Sequence, residues 1–482
     1  MKRIWIILLL IGLMIPIIFA ENEQTPEPTN TKMIVNLDRM VTLEEKAVQI
    51  VELEKEQGKV IATLVDENGL IELFTDNGNY LILNTKGQIL SEAQTGIKSK
   101  GQKVMLSKNG SVYICDGEKT VVLFKDGSQR FVYETPLNYF AQSHDGTTFL
   151  LSEGGHLKVT DINGEVLWES NLGDYFSTGL CVGINKAVIA LSDNGNLYLL
   201  NSTGETILKK QTQTKPSTTP IVDMNGDIYF GSKDSKLIKL SSEGEKLWEI
   251  QTTGTAIDQP VFDFSGNILF PTTGGIVYSV KKATGEENWK FYTDGGIPNS
   301  LSLSQTKNLY FTTNKNNAYA LSTKGILQWK SKAGIKLTQP VLFTGKDSLI
   351  IPAQNAVYIL QENTGGIAKS AWACLNGNQQ RRQSLYTQTL HRLSTVPYGP
   401  TPLNGETKTG RTVTFKWKLD METKVDFYLG TQFPLTRCGI NIKDNTVTIP
   451  GLLANTVYYW RVEPKTDIPN QAIPNWTFRT GE

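Results

Sequence analysis

This chain is poor in the side chains that metal and nucleophile chemistry draw on. Its 482 residues include 3 histidines and 4 cysteines. His144, His156 and His391 are scattered, with no second ligand at metal-binding spacing, which argues against a zinc site built on them. Cys115, Cys181, Cys374 and Cys438 are far apart, with no adjacent pair; four cysteines allow three pairings and their spacing selects none. Small buried apolar residues are the expectation for most of them, with Cys374–Cys438 a pairing that would span a linker. The sequence has no Gly-x-Ser-x-Gly elbow and no Gly-x-x-x-x-Gly-Lys loop. It also lacks excess charge of either sign: 48 Lys and Arg face 47 Asp and Glu, for a net charge of +1. Without a basic stripe, neither nucleic acid nor an anionic membrane surface is an expected partner.

Long apolar runs are absent after residue 20. The first 20 residues, MKRIWIILLLIGLMIPIIFA, place Lys2 and Arg3 before an unbroken apolar run, and Ala20 precedes a polar stretch. This is the pattern of a secretory signal cleaved after Ala20. An uncleaved anchor is the alternative, and the one route to a membrane. No cysteine follows the run, so a lipid anchor is not expected. Export to the periplasm, the cell surface or the medium follows. Residues 21–33 form a polar spacer.

What the chain does have is a repeat. In Ile221–Thr252 a turn at Asn225-Gly226 precedes Ile228-Tyr229-Phe230. A turn at Lys233-Asp234-Ser235 precedes Leu237–Leu240, and Glu243-Gly244 precedes Lys246–Ile250. Short apolar runs between Gly, Asn, Asp and Ser turns read as antiparallel hairpins. The glycine that opens the last strand recurs at Gly87, Gly127, Gly164, Gly204, Gly244, Gly285, Gly325 and Gly366, at intervals of 37 to 41 residues. Four residues beyond it stand Phe131, Trp168, Leu208, Trp248, Trp289 and Trp329; the first copy has Ser91 there, and the stretched last copy has Trp372. A period of about 40–45 residues with several short strands is the signature of a β-propeller. The expectation is an all-β chain with eight blades over 34–374, or seven if a terminal unit stays out of the ring. The Trp residues are expected to wedge between blades; the competing reading is a carbohydrate-stacking row. Near the N-terminus, Thr42 and Glu45 fit a helical capping box, while Gln49–Leu53 fits a strand that would complete the last blade.

The sixth copy, Ile276–Trp289, reads Ile-Val-Tyr-Ser-Val-Lys-Lys-Ala-Thr-Gly-Glu-Glu-Asn-Trp. It resembles the pyrroloquinoline-quinone-type (PQQ-like) propeller repeat, and Gly366–Arg381 resembles the tail that closes many exported propellers of that family. The resemblance covers about 340 of the 482 residues and implies the fold more strongly than any function. It raises a quinone-dependent dehydrogenase, which would need a bound quinone, a calcium held by carboxylates and amides, and an Asp base. No such set maps onto this sequence, and the adjacent-cysteine disulfide of many members is missing. Asp223-Met224-Asn225-Gly226-Asp227 has alternating oxygen ligands like the start of a calcium loop, but lacks the downstream Glu.

Residues 375–395 form a polar linker, and from Val396 the period stops. Val413, Phe415 and Trp417 alternate as a strand, with further strands at Val425–Leu429 and Thr446–Ile449. Gly451–Val462 and Trp476–Thr480 resemble a fibronectin type III module over 396–482, with Leu452 and Tyr458 matching its tyrosine corner. No catalytic, cofactor-binding or metal residue is nominated; Gly164, Gly244, Gly285, Gly325, the five tryptophans, Leu452 and Tyr458 are structural candidates. The expected function is a monomeric exported scaffold that binds a protein or glycan without catalysis. The alternative is a factor like the propeller subunit of the outer-membrane protein insertion machinery, and a PQQ-dependent dehydrogenase comes third.

Overall fold

The computed structural model describes residues 41–482 apart from 67, 99–102, 144, 346, 369, 371, 375–376, 379–396, 403–405, 420–423, 433 and 466–475. The signal segment, the spacer, His144, His391 and nearly all of the linker lie outside the described residues.

Among these residues the chain is almost entirely β. Eight four-stranded antiparallel sheets occupy 47–361. They are numbered here by their first strands: Val60–Val65, Val104–Leu106, Tyr139–Gln142, Leu180–Val182, Ile221–Val222, Val261–Phe262, Ser302–Leu303 and Leu342–Thr344. The second and third strands are short apolar runs buried on both faces, such as Ile268–Thr272 and Ile276–Val280 in the sixth sheet. Burial on both faces means each sheet packs against two others. The fourth strands alternate between exposed and half-buried residues, as in Lys246–Gln251.

Apolar clusters link each sheet to the next. Tyr80 and Ile114 share one between the first and second sheets, Tyr113 and Phe140 join the second to the third, and Phe149 and Tyr198 the third to the fourth. One larger cluster runs through the fourth, fifth and sixth; Leu269 and Tyr319 join the sixth to the seventh, and Tyr310 and Phe343 the seventh to the eighth. Leu73 and Ile350 then join the eighth back to the first, closing the circle.

The eighth sheet takes its fourth strand from the other end of the chain. Ala47–Glu52 pairs antiparallel with Ala356–Gln361. Both readings of this segment hold part of the answer. Thr42 and Glu45 do form a capping box, but the helix they start is only Leu43–Lys46, and the strand follows at once. Gly366 therefore opens no strand. The place of the last strand is filled by Ala47–Glu52, and the chain after Gln361 is directed elsewhere.

In every sheet the fourth strand skips one residue in its pairing with the third. The skipped residues are Leu90, Arg130, Leu167, Ile207, Leu247, Asn288, Gln328 and, in the N-terminal strand, Val48. In the seven sheets built from consecutive strands, the skipped residue directly precedes the recurrent Ser, Phe, Leu or Trp position. A bulge kinks and twists an edge strand, which makes it a poor template for pairing with another chain.

The C-terminal region holds two sheets. Tyr398–Thr401, Val413–Lys418 and Thr446–Ile449 form one; Glu406–Thr409, Trp476–Thr480, Val457–Pro464, Val425–Gly430 and Thr436–Ile442 form the other in that order, with its first pair parallel. Phe415, Trp417, Phe427, Trp460, Trp476 and Phe478 share one core between them. Leu452 is buried in that core, and the Tyr458 hydroxyl accepts the Leu453 backbone N–H at 2.9 Å.

Candidate functional site

Trp168, Trp248 and Trp289 each meet the hairpin between the third and fourth strands of the next sheet. Trp168 donates its indole N–H to the Ser202 carbonyl at 2.9 Å. Trp248 donates to Lys282 at 3.1 Å and Trp289 to Thr323 at 2.9 Å. Just past each acceptor comes the recurrent glycine. A Cβ on Gly325 would stand 2.6 Å from the Trp289 ring, and one on Gly285 would stand 3.0 Å from Trp248. Gly164 is pressed against Phe131 in the same way, and Gly244 against Leu208. These glycines also hold positive φ. Turn conformation and close approach thus demand glycine together. The Trp rings are half-buried rather than enclosed, so their packing energy is smaller than that of a core tryptophan.

The pattern breaks at the ring closure. Trp329 faces the eighth sheet, whose third and fourth strands are not joined by a hairpin, so no turn carbonyl reaches its indole. Lys46 lies 4.6 Å over the ring instead, and the buried indole N–H has no partner among the described residues. Beside it, Glu44 accepts the Tyr358 hydroxyl at 2.6 Å and the Gly334 N–H at 2.9 Å. Burial works against the Glu44 charge, but these hydrogen bonds outweigh it and hold its pKa below the ordinary value.

Trp372 has a different place from the other tryptophans. After the eighth sheet the chain crosses the free inner edges of its neighbours. The Gln305 N–H bonds to Gly366, Ala368 to Leu303, and Leu303 to Ala373, each at 2.8–2.9 Å. The Phe262 N–H then bonds to the Trp372 carbonyl at 2.9 Å, and the Trp372 indole donates to the Val222 carbonyl at 2.7 Å. Trp372 is 0% exposed. One segment thus ties the first strands of the fifth, sixth and seventh sheets together on the side facing the ring's centre.

The loop with calcium-like spacing is fully committed to its own fold. Asp223 Oδ1 accepts the N–H groups of Asn225 and Asp227, and Oδ2 takes the Tyr229 hydroxyl and Lys282 Nζ. Asp227 pairs with Lys239 at 2.7 Å. The same turn recurs in the first sheet, where Asp66 Oδ1 accepts the Asn68 and Leu70 N–H groups while Lys125 binds Oδ2 at 2.7 Å. Lys125 and Lys282 each reach over from the next sheet, so both pairs bridge neighbours. The Asp223 side chain thus caps its own turn. No group of His, Cys, Asp and Glu suited to a metal occurs among the described residues. No disulfide joins the four cysteines: Cys115, Cys181 and Cys374 are buried and Cys438 is exposed, so the Cys374–Cys438 pairing is not formed. His156 approaches Glu169 alone, at 3.5 Å.

Two features had no place in the sequence reading. On the third and fourth sheets, Asp174 accepts from Tyr198, Asn196 and Asn194; burial opposes its charge, but these bonds lower its pKa to about 2. In the first sheet, Glu72 is wholly buried and accepts the Tyr80 hydroxyl at 2.9 Å. The signal for Glu72 lies in the repeat itself, since it falls where other copies carry apolar or aromatic residues.

A ring of four-stranded antiparallel sheets, each packed on the next, is a β-propeller, and solved structures agree. The crystal structure of BamB from Moraxella catarrhalis matches with a TM-score of 0.53 at 14% identity, covering 65% of this chain and 99% of that one. The computationally designed protein Ika8 matches with a TM-score of 0.55 at 15% identity, covering 64% and 98%. The C-terminal WD40 domain of Sif2 matches with a TM-score of 0.53 at 10% identity, covering 66% and 97%. At these identities the likeness is one of fold. Residues 153–371 match the family described as outer membrane protein assembly factor BamB, so this stretch carries BamB-like, PQQ-type repeats. No curated protein sequence matches the chain.

Proposed function

We propose that the chain is an exported, non-enzymatic scaffold: an eight-bladed PQQ-like propeller followed by a fibronectin type III-like sandwich. The observation that carries this reading is the placement of residues 364–368 and 372–374. Propeller chemistry usually gathers at the centre of the ring, and here the chain's own backbone and Trp372 occupy inner edges of three sheets. The faces and rim are left as the working surfaces, and broad rigid faces suit protein partners. The BamB-like repeats support a protein partner over a glycan. The sandwich reading draws on the sheet order and on the Tyr458 hydroxyl bonding back to Leu453, as a tyrosine corner does. Export rests on the first 20 residues.

A thermal-shift experiment with PQQ and calcium tests the absence of catalysis. No change in melting temperature is expected. A ligand at a hundred times its Kd would add about 2.7 kcal/mol, and a calcium-dependent shift of that order would make the chain a quinoprotein candidate.

The family match favours one second reading, a subunit that assists outer-membrane protein assembly. Gel filtration with the purified insertion machinery separates the two. Co-elution supports the assembly role, whereas separate elution leaves the general scaffold.

A further inference from the structure

Glu72 occupies a position that the other sheets fill differently. It pairs across the strand with Leu64, two residues before the turn at Asp66. The equivalent residues are Tyr113, Tyr229 and Tyr310 in three sheets, and Phe149, Ile189, Leu269 or Ile350 elsewhere. All of these face a neighbouring sheet and are buried. The first sheet alone puts a carboxyl there, against the apolar cluster it shares with the second sheet.

The surroundings favour the neutral acid. Glu72 is 0% exposed, and Oε1 has no hydrogen-bond partner among the described residues. Oε2 has only the Tyr80 hydroxyl. The cation that acts on it, Lys125, is engaged by Asp66 at 2.7 Å, so it only partly offsets a charge on Glu72. Besides Lys125, the charged and titratable groups acting on the Glu72–Tyr80 pair from the packed elements are Asp66 and Asp126, and both are acidic. A buried carboxylate with one oxygen unpartnered is costly; the neutral acid is far less so. Burial raises the Glu72 pKa to about 7, more than Tyr80 and Lys125 lower it.

We propose that Glu72 is a proton-operated latch between the first and second sheets, closed while its carboxyl is neutral and loosened when it ionises. The raised pKa fixes the sign. Folding takes up a proton between the ordinary carboxyl range and about pH 7. The stabilisation is therefore complete below that ordinary range and is lost as pH rises through about 7. Ionised Glu72 must draw in water or move toward Lys125, and either change parts Tyr80 and Phe74 from the second sheet.

Hydrogen exchange of the full mature chain tests the latch. Peptides covering 71–75 and 112–115 are followed at pH 5 and pH 7.5, corrected for intrinsic exchange, in the wild type and in Glu72→Gln. In the wild type the local opening constant should rise about tenfold per pH unit over the titration; in Glu72→Gln it should stay level. Infrared spectra should show a protonated carboxyl that disappears near neutral pH and is missing from the variant. Should Glu72→Gln not fold, Glu72→Leu, the residue type of the sixth sheet, takes its place. Equal pH dependence in the wild type and the folded variant would overturn the proposal, as would a Glu72 carboxyl already ionised at pH 5.

Discussion

The glycine and tryptophan of adjacent repeats act as one unit, because the ring of Trp289 lies where a side chain on Gly325 would have to be. Gly325→Ala should destabilise the propeller by about 1–3 kcal/mol, since it adds a strained positive φ to a steric clash. Trp289→Ala should cost about 2 kcal/mol. That is less than the 3–5 kcal/mol of a fully buried Trp, because the ring is half-buried and contributes area in proportion. The double variant removes the ring that the alanine would strike, so it should cost about 1 kcal/mol less than the sum of the two single variants. Urea unfolding of the four proteins measures this, and strict additivity would show that the contact in the structure carries no energy. Trp372→Ala should be the most damaging of the Trp variants, near the top of the 3–5 kcal/mol range, because it leaves a cavity and orphans the Val222 carbonyl. A melting temperature lowered no more than by Trp289→Ala would argue against the tail as a brace.

The elements show where the sequence could be read and where it could not. Repetition made the sheets legible: a turn or an apolar run that is ambiguous once becomes clear when it recurs at 40 residues. The strand that closes the ring was ambiguous because its local signals conflict. Thr42 and Glu45 do start a helix, and only pairing with a strand some 300 residues away turns the chain into Ala47–Glu52. The placement of 364–368 and 372–374 leaves still less trace. Its hydrogen bonds go to backbone groups of distant sheets, which any side chain can flank, so Trp372 looked like one more repeat residue. The bulges are likewise a property of pairing, and the residues at them range from Leu167 to Arg130. Closure gives a direct test. A chain starting at residue 54 would expose the edge of Ala356–Gln361, a strand buried along nearly its whole length, and should aggregate. A synthetic peptide spanning 41–53 should restore a monomer in light scattering. The same peptide with Glu44→Gln should bind more weakly, because it gives up the carboxylate that holds Tyr358 and Gly334. A monomeric truncated chain would mean that the N-terminal strand is dispensable.

Across the whole molecule, two sets of carboxyls pull stability in opposite directions with pH. Asp66, Glu44 and Asp174 have lowered pKa values, since hydrogen bonds and, for Asp66, Lys125 outweigh the opposing effect of burial. Their contributions are present above the ordinary carboxyl range and are lost as pH falls, down to about 2 for Asp174. Glu72 behaves in the reverse sense, and its contribution is lost as pH rises through about 7. With a net charge of only +1, general charge repulsion does not mask either effect near neutrality. The melting temperature should therefore peak on the acidic side, at about pH 4.5–5.5, rather than at neutral pH. Glu72→Gln removes only the descending limb, so its curve should rise to a plateau that extends through pH 8. At pH 8 the variant should melt above the wild type, and at pH 4.5 the two should coincide or reverse. A wild-type curve that climbs to a neutral maximum would show that Glu72 does not govern the stability of the ring. It would also leave Asp66, Glu44, Asp174 and the other carboxyls of lowered pKa to set the pH dependence.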